Sequence, residues 1–267
     1  LRKRPRNGGK EKRRKATPSV GAKTNTTQRV QKRQEKMTEP AVVVAGTIVR
    51  NRSWIIKEHI ASLESNSPSF LFYLQGDSSD NTKELLLDSN VDILNHDVGN
   101  PNWRRGTYSS SVMGSLRELW TKTALALYPE ATHLWSVDSD VLPPSNALHT
   151  LLGHKKDVMA AYVPVSNGAI PIHMYGWDER DREARRTGQE KIHESVLRRC
   201  TLVGACVLMT RKVAEIPDLY GKHNQGEDGY FGDRMRERGI DMWVDTLVIC
   251  EHRMNEPEEW KLKWGVQ

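Results

Sequence analysis

Apolar residues along this chain fall in short runs separated by polar stretches, after a start that holds almost none. Ala41–Val49 (AVVVAGTIV) is a continuous β-branched run and predicts a strand buried on both faces, as in parallel sheets. Ser53–Glu64 has helical spacing through Trp54, Ile55, Ile60 and Leu63. Phe70–Leu74 reads as a second strand. It ends in the turn-rich Gly76-Asp77-Ser78-Ser79-Asp80-Asn81, which caps a helix over Thr82–Leu87. Val91–Leu94 predicts a third strand and Tyr108–Tyr128 a long helix, with Val112, Leu116, Leu119, Leu125 and Leu127 on its apolar positions. His133–Val137 is a strand, Ala147–Leu152 a helix and Val158–Val165 a strand.

This alternation predicts an α/β protein with an open, mostly parallel, Rossmann-like sheet flanked by helices. After Val165 the pattern changes. Residues 166–200 are polar and irregular. They precede a strand-like Leu202–Met209, a helix from about Asp228 to Glu237 and a strand over Met242–Ile249. No internal repeat is visible, and no low-complexity stretch outside the N-terminal tail.

A chain of 267 residues can bury a real core, as one large α/β domain or two small ones. No apolar run approaches the ~20 residues that cross a bilayer, and the basic start leads into no apolar segment of a secretory signal. Cys200, Cys206 and Cys250 are odd in number and lack metal-type spacing, so they read as reduced, buried thiols of a cytoplasmic protein.

Charge divides the chain. Residues 1–40 hold 14 Lys/Arg and 3 Asp/Glu, a net of +11; the rest holds 26 and 31, a net of −5. Segment 1–38 is therefore expected to be a disordered basic tail. It either contacts a polyanion through Arg2–Arg6 and Lys10–Lys15 or only tethers and solubilises the domain. The chain begins with Leu, and Met37-Thr38-Glu39-Pro40 directly before a strand looks like a start; residues 1–38 are expected to be dispensable to the fold.

In open α/β sheets, ligands bind at the carboxyl ends of strands. There the sequence places Asp138-Ser139-Asp140, directly after His133–Val137 and before Val141-Leu142-Pro143-Pro144. Paired carboxylates leaving a strand suit Mg²⁺ or Mn²⁺ shared with substrate phosphates, although a solvated acidic turn has the same sequence. Glu227-Asp228 opens an Arg-rich helix, where carboxylates also complement the helix dipole. Cys250-Glu251-His252 follows the last strand, and a lone histidine there is either a ligand or a surface residue.

In this order the motifs are more specific. From Ala41 to about His252 the chain resembles the GT-A class of nucleotide-sugar glycosyltransferases, especially its family-2-like group. The matching pieces are Val42–Arg52 (VVVAGTIVRNR), Gly76–Thr82 (GDSSDNT), Asp138-Ser139-Asp140, Val203–Met209 (VGACVLM), Glu227-Asp228 and His252. Asn100–Ser110 (NPNWRRGTYSS) is also similar to the mannan-polymerase-type branch. The chain departs from the family-2 pattern at Gln75-Gly76-Asp77, where an Asp-Asp-Gly turn is usual, and at Arg50, where an aromatic is common.

The resemblance implies a GT-A domain over 39–267, with a nucleotide-binding half at about 39–165 and a smaller acceptor-side half at about 166–255. It implies Mn²⁺ or Mg²⁺ at a site of Asp138, Asp140 and His252, in which Asp140 and His252 bind the ion directly and Asp138 holds ribose or a metal-bound water. Asp228 would be the general base of an inverting transfer, with Glu227 orienting donor or acceptor. The substrate-binding candidates are Arg50, Asp77, Asp80, Asp138, Gly204 and, on the diphosphate, Arg104, Arg105 or Arg117. Trp177, with Tyr175, would stack on a sugar face.

The donor would be a nucleotide sugar. The acceptor is open among a glycan, a lipid-linked sugar, a protein side chain and a modified nucleic-acid base. Other readings are a retaining enzyme of the same fold, a sugar nucleotidyltransferase and a polyanion-binding protein acting through its tail. The second lacks a Gly-rich, basic phosphate loop after the first strand. Deleting residues 1–36 separates the last from the rest: retention on a polyanion column is expected to vanish while sugar transfer survives.

Overall fold

A computed structural model describes residues 40–99, 110–164 and 197–253. The expectations for the tail and for most of the polar stretch 166–200 lie outside these residues. So do those for the segment 100–109 and for Arg104, Arg105, Tyr175 and Trp177. The chain separates into Leu1–Pro40 and Ala41–Gln267, and the second holds every element described below.

Ten strands and six helices are described. In chain order they are β1 (Val43–Val49), α1 (Ile56–Glu64), β2 (Phe70–Gln75), α2 (Thr82–Leu87), β3 (Asp92–Asn95), α3 (Ser110–Leu127), β4 (His133–Val137) and β5 (Val141–Leu142). They continue with α4 (Ala147–Gly153), β6 (Val158–Tyr162), β7 (Leu197–Cys200), β8 (Cys206–Thr210), α5 (Arg211–Ala214), α6 (Gly226–Glu237), β9 (Met242–Ile249) and β10 (Glu251–His252). Eight strands form one sheet in the order β3-β2-β1-β4-β8-β6-β9-β7. Four of its seven pairings are parallel: β3 on β2, β2 on β1, β1 on β4 and β6 on β9. The sheet is thus mixed, mostly parallel and flanked by helices, as the alternation of elements predicts.

The apolar runs explain this order. Six of the seven residues of β1 are buried, and its neighbours β2 and β4 bury four each, so the middle of the sheet is covered on both faces. Helix α1 covers it with Ile56, Ile60 and Leu63, one stripe at helical spacing. Helix α3 packs on β1, β2 and α6. The three cysteines are buried and free. Among the described residues, no helix is long and apolar enough to cross a membrane.

Where boundaries differ from the sequence reading, hydrogen bonds account for it. Helix α1 starts at Ile56 rather than Ser53: the carbonyl of Arg52 accepts from the amides of both Ile55 and Ile56 in a turn before the helix, and Thr82 Oγ1 and Asp80 Oδ2 accept from the amides of Arg52 and Ser53. Strand β8 starts at Cys206 rather than Leu202. Ala205 has φ +60°, and the amide of Cys206 donates to the carbonyl of Gly204 in a tight turn. Strand β7 lies in the stretch read as irregular; Leu-Arg-Arg-Cys shows no apolar alternation because it is an edge strand pairing only with β9.

Gly46 shows how tightly the parallel strands meet. Its φ is +144°, and a Cβ there would stand 1.9 Å from the carbonyl oxygen of Phe72 on β2. Gly46→Ala is expected to destabilise the fold by ~2–4 kcal/mol, measured by urea unfolding.

Candidate active site

The carboxyl ends of β1, β2 and β4 open into one cleft, beside the point where strand order reverses between β1 and β4. The loops after β1, β2, β3 and β4, a face of α3 and the start of α6 form its walls. The Asp138–Asp140 turn leaves β4: the amide of Val141 donates to the Asp138 carbonyl, and the amide of Asp138 donates to the carbonyl of Ala205. Ser139 and Asp140 are buried in this turn.

His252 reaches the turn through backbone pairing. After β9, the amide of Cys250 donates to the carbonyl of Tyr162. The chain then forms a two-residue antiparallel ribbon in which His252 lies opposite Val141 and Glu251 opposite Leu142. The amide of Arg253 donates to the carbonyl of Asp140. His252 Nε2 thereby stands 3.7 Å from Asp140 Oδ1. Nδ1 lies 2.9 Å from the carbonyl of Pro164. A carbonyl only accepts, so Nδ1 carries the proton, and in the neutral ring Nε2 keeps its lone pair toward Asp140.

This donor set bears on a divalent cation. Among the described residues, no group of three His, Cys, Asp or Glu side chains is arranged to hold one. Asp140 and His252 supply an oxygen and a nitrogen side by side. Mg²⁺- and Mn²⁺-type ions are commonly held by one or two protein groups, with substrate phosphates and water completing the shell. The residues fit such a substrate-completed site, not a closed protein cage.

Asp138 faces elsewhere. Arg117, buried on α3, donates from Nη2 to Asp138 Oδ1 at 2.9 Å and from Nε to Glu227 Oε1 at 3.1 Å. Burial works against the charged form of Arg117, but the carboxylates of Asp138, Asp228 and Glu227 outweigh it and raise its pKa above the usual range. Arg117 lines the cleft as a cation already engaged with two carboxylates.

Asp228 stands in the first turn of α6, partly buried. Burial pushes its pKa up to about 7; Arg117 opposes this, while Glu227 and Asp138 add to it. Its carboxylate packs on the bare Cα of Gly204, where a Cβ would stand 2.3 Å from Oδ2. A carboxyl that exchanges its proton near neutrality, at the wall of a cleft, has the properties of a general base.

The remaining candidates divide. Arg50 and Asp77 line the cleft; Arg50 Nε donates to the Asp77 carbonyl. The Asp77 carboxylate accepts from the amides of Val98 and Gly99 and so ties the β3 loop to the β2 loop. Asp80 is buried and accepts from Ser53, from the Thr82 amide and from the Thr82 hydroxyl, which makes it a loop fastener that does not line the cleft. Residues not given a role from sequence also line it: Arg52, His96, Met113 and Ser139. Arg52 and Ser139 had a sequence signal, since one ends the matched first-strand segment and the other lies inside the Asp138–Asp140 motif. His96 and Met113 carry none. Among the described residues the charged lining comprises Arg50, Arg52 and Arg117 against Asp77, Asp138, Asp140, Glu227 and Asp228, three against five, a net of −2 with all ionised.

No protein-family model and no curated protein matches the sequence. Solved structures do match the fold. S. aureus TarS 1–349 in complex with UDP-GlcNAc superposes with a TM-score of 0.52 at 14% identity, over 82% of this chain and 60% of that one. M. tuberculosis glucosyl-3-phosphoglycerate synthase in complex with Mn²⁺, UDP and phosphoglyceric acid gives 0.51 at 14% identity, over 82% and 73%. A mycobacterial protein gives 0.53 at 16%, over 82% and 69%. The chain therefore has the fold of GT-A glycosyltransferases, and it spans about 60% of the length of the TarS chain.

The contact between Gly204 and Asp228 is testable. Gly204→Ala is expected to destabilise the protein by ~1–3 kcal/mol through overpacking. The double variant Gly204→Ala/Asp228→Ala removes the colliding carboxylate and is expected to recover most of that loss. Urea unfolding of both single variants and the double gives the coupling energy.

Proposed function

We propose that this chain is a divalent-cation-dependent glycosyltransferase that moves a sugar from a nucleoside diphosphate donor to an acceptor hydroxyl with inversion. The observation that carries this reading is the approach of His252 Nε2 to within 3.7 Å of Asp140 Oδ1, where Asp140 lines a strand-end cleft and His252 stands behind it. Residues distant in sequence meet there, an oxygen and a nitrogen donor side by side, which supports reading them as the protein's share of a metal site. The fold neighbours are in keeping with it: TarS is solved with UDP-GlcNAc and glucosyl-3-phosphoglycerate synthase with Mn²⁺ and UDP.

Each residue has a physical task. Asp140 and His252 would hold Mn²⁺ or Mg²⁺, which when bound offsets the charge that builds on the departing diphosphate. Arg50 and Asp77 shape the far wall of the cleft, where the nucleoside end of a donor would lie. Asp228 would take the proton of the attacking hydroxyl. Its raised pKa matches that task, because a weakly acidic carboxyl is a stronger base than a surface one. Glu227, held by Arg117, keeps a second carboxylate beside it. Gly204 leaves the space in which the Asp228 carboxylate sits.

A donor-hydrolysis screen with several nucleotide sugars, UDP sugars first, with and without Mn²⁺, tests this. Asp140→Ala is expected to lose the Mn²⁺-dependent turnover. Asp228→Asn is expected to lose at least ~100-fold in transfer rate while still binding donor. Full transfer by Asp228→Asn removes the base assignment, and a product retaining the donor's anomeric configuration removes inversion.

A further inference from the structure

Arg52 has no task in the reading above, yet its guanidinium stands at the acidic turn. Nη2 lies 3.2 Å from Asp140 Oδ2, while the other oxygen of the same carboxylate faces His252. The two side chains are 18% and 11% exposed, so this is not a loosely hydrated surface pair. The backbone of Arg52 is fixed. Its amide donates to Thr82 Oγ1, and its carbonyl accepts from the amides of Ile55 and Ile56 at the start of α1. Only the side chain, a long stem with a planar fork at its end, is able to change partner.

The charge of the cleft says why a change of partner matters. Among the described residues three guanidinium groups and five carboxylates line it, a net of −2 with Asp228 ionised and −1 with it protonated. An anionic diphosphate is repelled by such a lining until positive charge is added. A divalent cation held at Asp140 would add that charge and would compete with Arg52 for the same carboxylate. A guanidinium released there would have a diphosphate as its natural bidentate partner.

We infer that Arg52 is a partner-exchanging binding residue: cation and guanidinium compete for Asp140, and the displaced guanidinium serves the anionic donor. This rests on the donor reading of the cleft. It makes cation and donor binding mutually reinforcing, because each favours the same arrangement of Arg52. It also gives one substitution two effects of opposite sign.

Isothermal titration of the full chain tests this, with Mn²⁺ alone and then with UDP and GDP in the presence of Mn²⁺. In Arg52→Gln, Mn²⁺ is expected to bind about 5-fold tighter, because its competitor is gone. The same variant is expected to bind the nucleotide about 10-fold more weakly with Mn²⁺ present. Arg52→Lys keeps the charge but not the fork and is expected to fall between Arg52→Gln and the wild type on both. It carries the comparison if urea unfolding shows Arg52→Gln to be unfolded.

Unchanged or weaker Mn²⁺ binding in these variants overturns the exchange, as does tighter Mn²⁺ binding with unaltered nucleotide affinity. A wild-type protein that binds Mn²⁺ but neither UDP nor GDP overturns the donor reading instead; the Mn²⁺ titrations still decide whether Arg52 competes for Asp140.

Discussion

Arg117 is the point at which the fold and the cleft are joined. It rises from α3 into a buried position and bonds Asp138 at the end of β4 and Glu227 at the start of α6. A buried guanidinium without partners is strongly unfavourable, and so are carboxylates crowded together without a cation. Each therefore requires the others. The cluster fixes the depth of α3 against the sheet and brings the first turn of α6 to the mouth of the cleft, with Asp228 beside it. Removing either partner of such a pair typically costs about 3–5 kcal/mol, whereas pairs on the surface contribute little.

The same cluster divides labour between the two aspartates of the turn. Asp138 is committed to Arg117, and Asp140 lies between Arg52 and His252. Two carboxylates two residues apart thus meet different surroundings, one permanently compensated and one shared among exchangeable partners. Asp228, next to the compensated half, feels burial more than it feels Arg117, and its proton affinity rises. Position along the chain does not distinguish these three acids; their cationic neighbours do.

Much of the sheet was legible because burial on both faces writes an unmistakable pattern. The bounds of β4 and β9 agree with their apolar runs residue for residue. The ends of elements were less legible where side chains compete for backbone amides, as Asp80 and Thr82 do for the amides of Ser53 and Arg52. The ribbon of β5 and β10 has two residues per strand, too short for any periodicity, yet it sets the distance from His252 to Asp140. The acidic motifs were visible as residue types in an order. Of the arginines, Arg117 was visible as a phosphate candidate and Arg52 as the end of the matched first-strand segment, but not as partners of these acids, because an ion pair between α3 and β4 has no signature in local spacing.

The short ribbon also shows how the site tolerates being made of distant parts. Strand β9 is parallel to β6 in the sheet, and its pairing register shifts at Ala161/Tyr162, where the chain turns off toward β10. That bulge redirects the chain end across the strand tips, so that Arg253 donates its amide to the carbonyl of Asp140 and Pro164 accepts from His252. The imidazole is thus held at Nδ1 by the Pro164 carbonyl, and its backbone by the pairing of β10 with β5, besides the carboxylate it faces. A carboxylate that changes partner beside an imidazole that does not is the arrangement a cleft needs if cation and guanidinium are to trade places without disturbing the fold.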